Sequence, residues 1–383
     1  MKKYEQYNIN ILNELISYNS VNPPGNELPL ASHILTTLDN IGLRSKLIKC
    51  SETRGSIISV IGNPIGKKLI FNGHLDVVPA HGNWKTDPFK AHIYNNRVYG
   101  RGTSDMKGAI ACMITAVKKL IDDKFDFKNG QLILAFVADE EMHNKGTLSI
   151  LNIEEMKKAD YVIIGEPTSL NLNIAHRGTA RFLIKVMGKS CHSSIPTNGI
   201  NAINKMKKVL EAICEYDIEL SKRSHDILPS PNISTVMING GERDNIIPNL
   251  CEIRVDRRTI PFDTSESIFI ELHKILEDIK STDSEFNYVL EPYLYLGAGE
   301  IHKNSELVKI VTSVYKDCFN VRPDILDFKA TCEQTLFINQ GIQTIIIGPG
   351  SIEQAHTIDE YIDIGQLNDA VFLYENIIKR ILG

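Results

Sequence analysis

No CxxC pair occurs in this chain, and its seven cysteines (Cys50, Cys112, Cys191, Cys214, Cys251, Cys318, Cys332) are odd in number and scattered. That spacing argues against a disulfide framework and against a thiolate zinc site, and predicts reduced thiols in a cytoplasmic protein. No apolar run approaches the length of a membrane span, so no membrane partner is expected. The N-terminal stretch MKKYEQYNINILNELISYNSVNPPGNE interrupts its apolar positions with Asn, Glu and Gln, and no signal-peptide core forms. A net charge of −5 offers no broad basic face to a nucleic acid. Phosphate-binding loops are missing as well: GRGTSD and GPGSIEQA carry glycine pairs, but neither completes G-x-G-x-x-G in a βαβ setting. There is no internal repeat and no low-complexity segment.

What is there is an ordinary globular composition over 383 residues, longer than a single core usually grows, so two domains are expected. From the start to about Thr168, helical and strand patterns alternate. The amphipathic N-terminal segment precedes the strand KLIFNGHLD; the helix KGAIACMITAVKKLIDD, the strand QLILAFVAD, a helix near GTLSILNIEEMKK and the strand DYVIIGEP follow. Such alternation predicts an α/β fold built on a mostly parallel sheet, with ligands at the carboxyl ends of its strands. After AHRGTARFLIKVMGKSCHSS the texture changes to antiparallel strands and two helices, and the α/β pattern returns near Tyr293. The expected division is a catalytic domain of residues 1–178 and 293–383 carrying an inserted α+β domain of residues 179–292.

Five apolar strands or their sequels run into imidazole or carboxylate groups: His74 and Asp76, Asp105 before a helix, Glu140 and Glu141, Glu166, and His356. Each alone has an ordinary explanation. Asp105 could cap a helix, Glu140 and Glu141 could sit in a solvated loop, Glu166 could end a strand before a proline, and His356 could be a surface histidine. Parallel strands, however, deliver their carboxyl ends to one edge, so the five can converge. Histidines and carboxylates without cysteine suit zinc, cobalt or manganese. Four clustered acids hold more charge than one dication needs, which favours two metals sharing a carboxylate.

The segments GHLDVVP, YGRGTSDMKG, ADEE, IIGEPTS, GKSCHSSIPTNGINAI and GPGSIEQAHTIDEY resemble the M20 family of metal-dependent amidohydrolases and peptidases, in order and across nearly the whole chain. The resemblance implies a zinc-hydrolase catalytic domain with an inserted dimerisation or lid domain, two divalent ions (Zn or Co), and a homodimer. It implies that His74, Asp105 and Glu166 hold one metal and Glu141 and His356 the other, with Asp105 bridging. Asp76 is expected to orient the His74 imidazole and Glu140 to act as the base, with Asp139 left without a catalytic role. His192 is expected to stabilise the oxyanion in the partner subunit, and Asn245 and Arg258, in preference to Arg257, to recognise substrate. Cys332 and Glu333 fall near the position whose neighbours contact the amino-acid part of the substrate. The implied reaction is hydrolysis of the amide bond of a small N-acyl amino acid. N-acetyl-L-ornithine leads, with succinyl-diaminopimelate, a dipeptide or another N-acyl amino acid as alternatives.

Overall fold

The computed structural model describes residues 2–383, which form two compact units: residues up to Ala175 together with Glu300–Gly383, and His176–Gly299. The first unit is built on a nine-stranded mixed sheet. At its centre four parallel strands lie in the order Gly130–Val137, Lys67–His74, Tyr161–Ile164 and Gln343–Ile346. All eight residues of Gly130–Val137 are buried, as expected of a parallel strand covered on both faces, and this is why its sequence is a continuous apolar run. Toward one edge Gly55–Gly62 and Arg44–Lys49 join antiparallel.

Helix Lys107–Asp122 buries twelve residues, its three alanines with Met113, Leu120 and three lysines supplying the good helix formers, and ends where Lys124 turns to φ +54°. It packs with Ile364–Leu382, whose eleven buried residues recur at helical spacing, and with Lys2–Ser17. Across the sheet, Ile150, Met156, Phe328, Phe337 and Ile342 complete a second core. The segment GTLSILNIEEMKK is helical only over Lys145–Ile150, and the rest is turns that end at Lys158 with φ +55°. A separate three-stranded sheet joins His92–Tyr94, Arg97–Tyr99 and Tyr361–Asp363. Its hairpin turns at Asn95 and Asn96, both at positive φ, the conformation a two-residue turn of this kind demands.

The second unit is a four-stranded antiparallel sheet in the order Asn232–Gly240, Leu250–Thr259, Gly178–Met187, Asn287–Leu296, packed against helices Ala202–Ser221 and Ser265–Thr282. Alternating burial along Gly178–Met187 gives the sheet one core face. Phe182, Ile184, Val186, Val209, Leu272 and Phe286 fill that core. Asn201 caps the first helix through the amides of Ile203 and Asn204, and Thr264 with Ser267 forms a capping box on the second.

Candidate metal centre

The carboxyl ends of the four parallel strands place the acids and histidines of the first unit together. His74 is the last residue of its strand, Glu140 and Glu141 follow Val137, Glu166 follows Ile164, and His356 lies on the loop after Ile346. His74 Nε2 lies 2.9 Å from Asp105 Oδ1 and 3.7 Å from Glu166 Oε1. His356 Nε2 lies 3.2 Å from Asp105 Oδ2 and 3.0 Å from Glu141 Oε1. Asp105 therefore faces both imidazoles, one through each oxygen. It does not cap the helix that follows: the capping residue is Met106, and no side chain caps that end.

Two sets of ligand atoms each fall within 4.8 Å of one another: those of His74, Asp105 and Glu141, and those of Glu140, Glu166 and Glu333. Glu166 closes on the Gly348 segment so tightly that a Cβ at Gly348 would stand 2.2 Å from the Gly165 carbonyl oxygen and 2.6 Å from that of Glu166. Only glycine fits there.

Asp76 is fully buried and organises the neighbouring turn. Its Oδ1 accepts the amide of Glu140 at 3.0 Å, and its Oδ2 accepts the amide of Glu141 at 3.1 Å and Asn22 Nδ2 at 2.8 Å. The nearer acceptor for His74 Nδ1 is the Asp76 carbonyl, at 2.9 Å, with the carboxylate at 3.7 Å. With Nδ1–H so engaged, Nε2 points at Asp105. Asp139 has φ +67° and is buried against Arg54, and its Oδ1 also accepts Asn22 Nδ2 at 3.0 Å. Its charge is answered by protein, and it shapes the turn that presents Glu140 and Glu141.

The electrostatics are those of a cluster short of positive charge. Burial pushes Glu140 well above the usual carboxylate range, and Glu166, Glu333 and Glu141 add to the shift while His74 opposes it. Burial likewise raises Glu141 and, more strongly, Glu166. Burial lifts Glu333 to about 7. Burial works against the charged form of His74, yet Asp105, Glu166 and Glu140 outweigh it and hold the imidazole well above its ordinary value. Asp105 and Glu141 raise His356 to about 10. Burial would raise Asp105, but the two imidazoles hold it below its ordinary range. Glu166 Oε1 and Glu333 Oε2 are buried and accept no hydrogen bond from the described residues. Oxygen and nitrogen donors with orphaned carboxylate oxygens and no cysteine in either set are what a hard or borderline divalent ion requires.

Glu333 is the acid of this cluster that the strand-end pattern does not single out. It precedes the short helix Gln334–Ile338, is fully buried, and accepts Thr147 Oγ1 at 3.0 Å. A lone Glu before a helix carries no distinctive signal. His192, Asn245 and Arg258 belong to the second unit. There His192 pairs across an isolated bridge with Ile246, and its Nδ1 lies 2.7 Å from Ser194 Oγ, while the Asn245 carbonyl accepts the Ser193 amide. Arg257 is fully buried against Asp263 at 3.2 Å; Arg258 is half-buried, with Nε 2.9 Å from Asp256.

Fold and donor set together define an α/β protein with a candidate divalent-metal site at the carboxyl edge of its sheet. The model of peptidase family M20/M25/M40 matches residues 70–380, and the chain belongs to that family. It is 30% identical over 342 residues to a protein named acetylornithine deacetylase from Vibrio parahaemolyticus, spanning 88% of this chain and 87% of that one. A protein of the same name from Pectobacterium carotovorum is 30% identical over 366 residues, 93% and 92% of the two chains. Among solved structures, an M20 metallo-carboxypeptidase from Sulfolobus solfataricus superposes with a TM-score of 0.79 at 20% identity over 98% of this chain and 99% of that one. A dinuclear metal-binding M20 peptidase from Bacillus subtilis gives 0.77 at 13% identity over 100% and 99%. These two likenesses concern the fold. No described helix is long and apolar enough to cross a membrane.

Proposed function

We propose that this protein hydrolyses the amide bond of N-acetyl-L-ornithine, releasing L-ornithine and acetate. The observation that carries the substrate is the 30% identity, over 88% of the chain, to a protein named acetylornithine deacetylase. His74, Asp105, Glu141, Glu166 and His356 are the proposed ligands of two divalent ions, zinc or cobalt, with Asp105 shared because its two oxygens face the two imidazoles. Such ions supply Lewis acidity, polarising the scissile carbonyl and acidifying water.

The chain's own groups do the rest. Glu140 takes the proton of the attacking water and hands it to the departing nitrogen. The Asp76 carboxylate fixes Glu140 and Glu141 through their backbone amides, so the two side chains keep separate tasks. His192 is assigned to the oxyanion, and Asn245 and Arg258 to the amino-acid portion; the planar Arg258 fork suits an α-carboxylate. With Arg257 committed to Asp263 inside the unit, Arg258 is the more exposed of the pair. The second unit is proposed as the dimerisation domain of a cytoplasmic homodimer.

The test is amine release from N-acetyl-L-ornithine, N-succinyl-diaminopimelate and simple dipeptides by metal-stripped protein, with and without added zinc or cobalt. Metal-restored turnover of acetylornithine above the others is the expected result. Preference for another member of the panel replaces the substrate, and silence across it with metal bound refutes the assignment to N-acetyl-L-ornithine and the other substrates tested.

A further inference from the structure

Glu360 lies four residues beyond His356 and is fully buried, yet the proposed chemistry does not use it. Its carboxylate is the centre of the loop that delivers Asp105. Oε1 accepts the amides of Ser104 at 2.8 Å and Asp105 at 3.1 Å; Oε2 accepts the amide of Gly102 at 3.1 Å and Arg101 Nη1 at 2.5 Å. Four donors match the lone-pair capacity of an ionised carboxylate. Residues 100–105 are all buried and form no strand ladder, so their amides need acceptors from elsewhere in the chain. The three-stranded sheet brings that acceptor into register. Tyr361 pairs with Tyr99, and one step further the Gly100 amide donates to the Glu360 carbonyl at 2.9 Å. Arg101 is itself fixed, with its guanidinium 5.1 Å from the Trp84 ring and donating to the Pro79 carbonyl. On the other side of the loop, the Ser351 amide donates to Ser104 Oγ at 3.0 Å.

We propose that Glu360 is a positioning residue that sets the place of Asp105, and through it the affinity of the site for the divalent ions that Asp105 would help to hold. It acts on the loop backbone and touches neither substrate nor the reacting atoms. Because it shares a short segment with His356, one piece of chain fixes both acid and imidazole around the shared ligand. This rests on the reading of Asp105 as that ligand.

The experiment measures metal stoichiometry and affinity of chelator-stripped protein by calorimetry, the visible spectrum of the cobalt form, and kcat and KM, for wild type, Glu360→Gln, Glu360→Asp and Asp105→Asn. Glu360→Gln keeps the reach but turns an NH2 toward donors; Glu360→Asp keeps the charge opposite Arg101 but loses the reach. Both are expected to weaken metal binding by roughly tenfold to a hundredfold. The cobalt bands should shift, and kcat should fall with KM changed by less than about threefold, because ground-state substrate contacts are untouched. Wild-type affinity, spectrum and kcat in either folded variant overturn the proposal. Should Glu360→Gln fail to fold, Arg101→Gln/Glu360→Gln removes the stranded charge, and if that double variant also fails to fold or binds metal normally, the residue is structural only and the proposal is overturned. Tight binding of both metals by Asp105→Asn would instead sink the ligand assignment, separately from the fate of Glu360.

Discussion

Replacing Glu140 with glutamine removes the proposed base and little else. The backbone amide of residue 140 stays tied to Asp76 Oδ1, so the turn that also carries Glu141 keeps its anchor. A positioned general base contributes about 10²- to 10⁴-fold, or roughly 2.7 to 5.4 kcal/mol of barrier, so kcat should drop by that factor. KM should move little, since proton transfer is made only on the way to the transition state. The same substitution should stabilise the metal-free protein. Burial, then Glu166, Glu333 and Glu141, disfavour the charged carboxylate, and a neutral isostere relieves that repulsion. The assay pairs steady-state kinetics with chemical denaturation of chelated protein and a metal count. A variant retaining more than a tenth of wild-type kcat, or one whose loss is matched by loss of metal, would refute Glu140 as the base.

Asp76→Asn places an amide NH2 against the amides of Glu140 and Glu141; metal affinity should fall about tenfold to a hundredfold, measured by competition with a chromophoric chelator. Glu27 is fully buried and its carboxyl is raised from 4.5 to about 7, by burial first and by Asp76 next, with Arg54 pulling the other way. A raised acid binds its proton more tightly in the folded state, so its contribution is complete below pH 4.5 and is lost as pH rises toward 7, by about 3 kcal/mol at most. Glu27→Gln should therefore flatten the pH dependence of unfolding by one proton across that window, and an unchanged slope in denaturation at several pH values would contradict it. Gly348→Ala drives a methyl into the Gly165 and Glu166 carbonyls, which should cost about 1 to 3 kcal/mol and weaken metal binding through Glu166, read by thermal unfolding and calorimetry. Adding zinc to stripped protein at a hundred times its dissociation constant should raise stability by about 2.7 kcal/mol, visible as a concentration-dependent Tm.

Much of the centre was legible because parallel strands write their burial as uninterrupted apolar runs, and the residue that breaks each run is conspicuous. His74 after KLIFNG, the acids Asp139, Glu140 and Glu141 after LILAFVA, and Glu166 after YVIIG stand out for that reason. The groups that support them do not. Arg54 reaches Asp139 from 85 residues away and Glu360 reaches Arg101 across 259, and no local pattern records such a pairing. Glu333 sits before a five-residue helix, where an acid is commonplace. The strands His92–Tyr94, Arg97–Tyr99 and Tyr361–Asp363 are three residues each, too short for an alternation to register. They nonetheless hold Glu360 opposite the loop that ends in Asp105.

The three adjacent acids after strand Gly130–Val137 show how the cluster tolerates its charge. Asp139 is paired with Arg54, and Glu141 stands 3.0 Å from the His356 imidazole, while Glu140, between them, forms no ion pair among the described residues. A turn at φ +67° separates the first from the other two, and the Asp76 carboxylate gathers the two following amides. Backbone hydrogen bonds therefore bear the positioning, and the side chains are released from it. The consequence is that Glu140 is held in place through its backbone while its carboxylate stays free of an ion pair, which is what the proposed base beside the metal ligands requires.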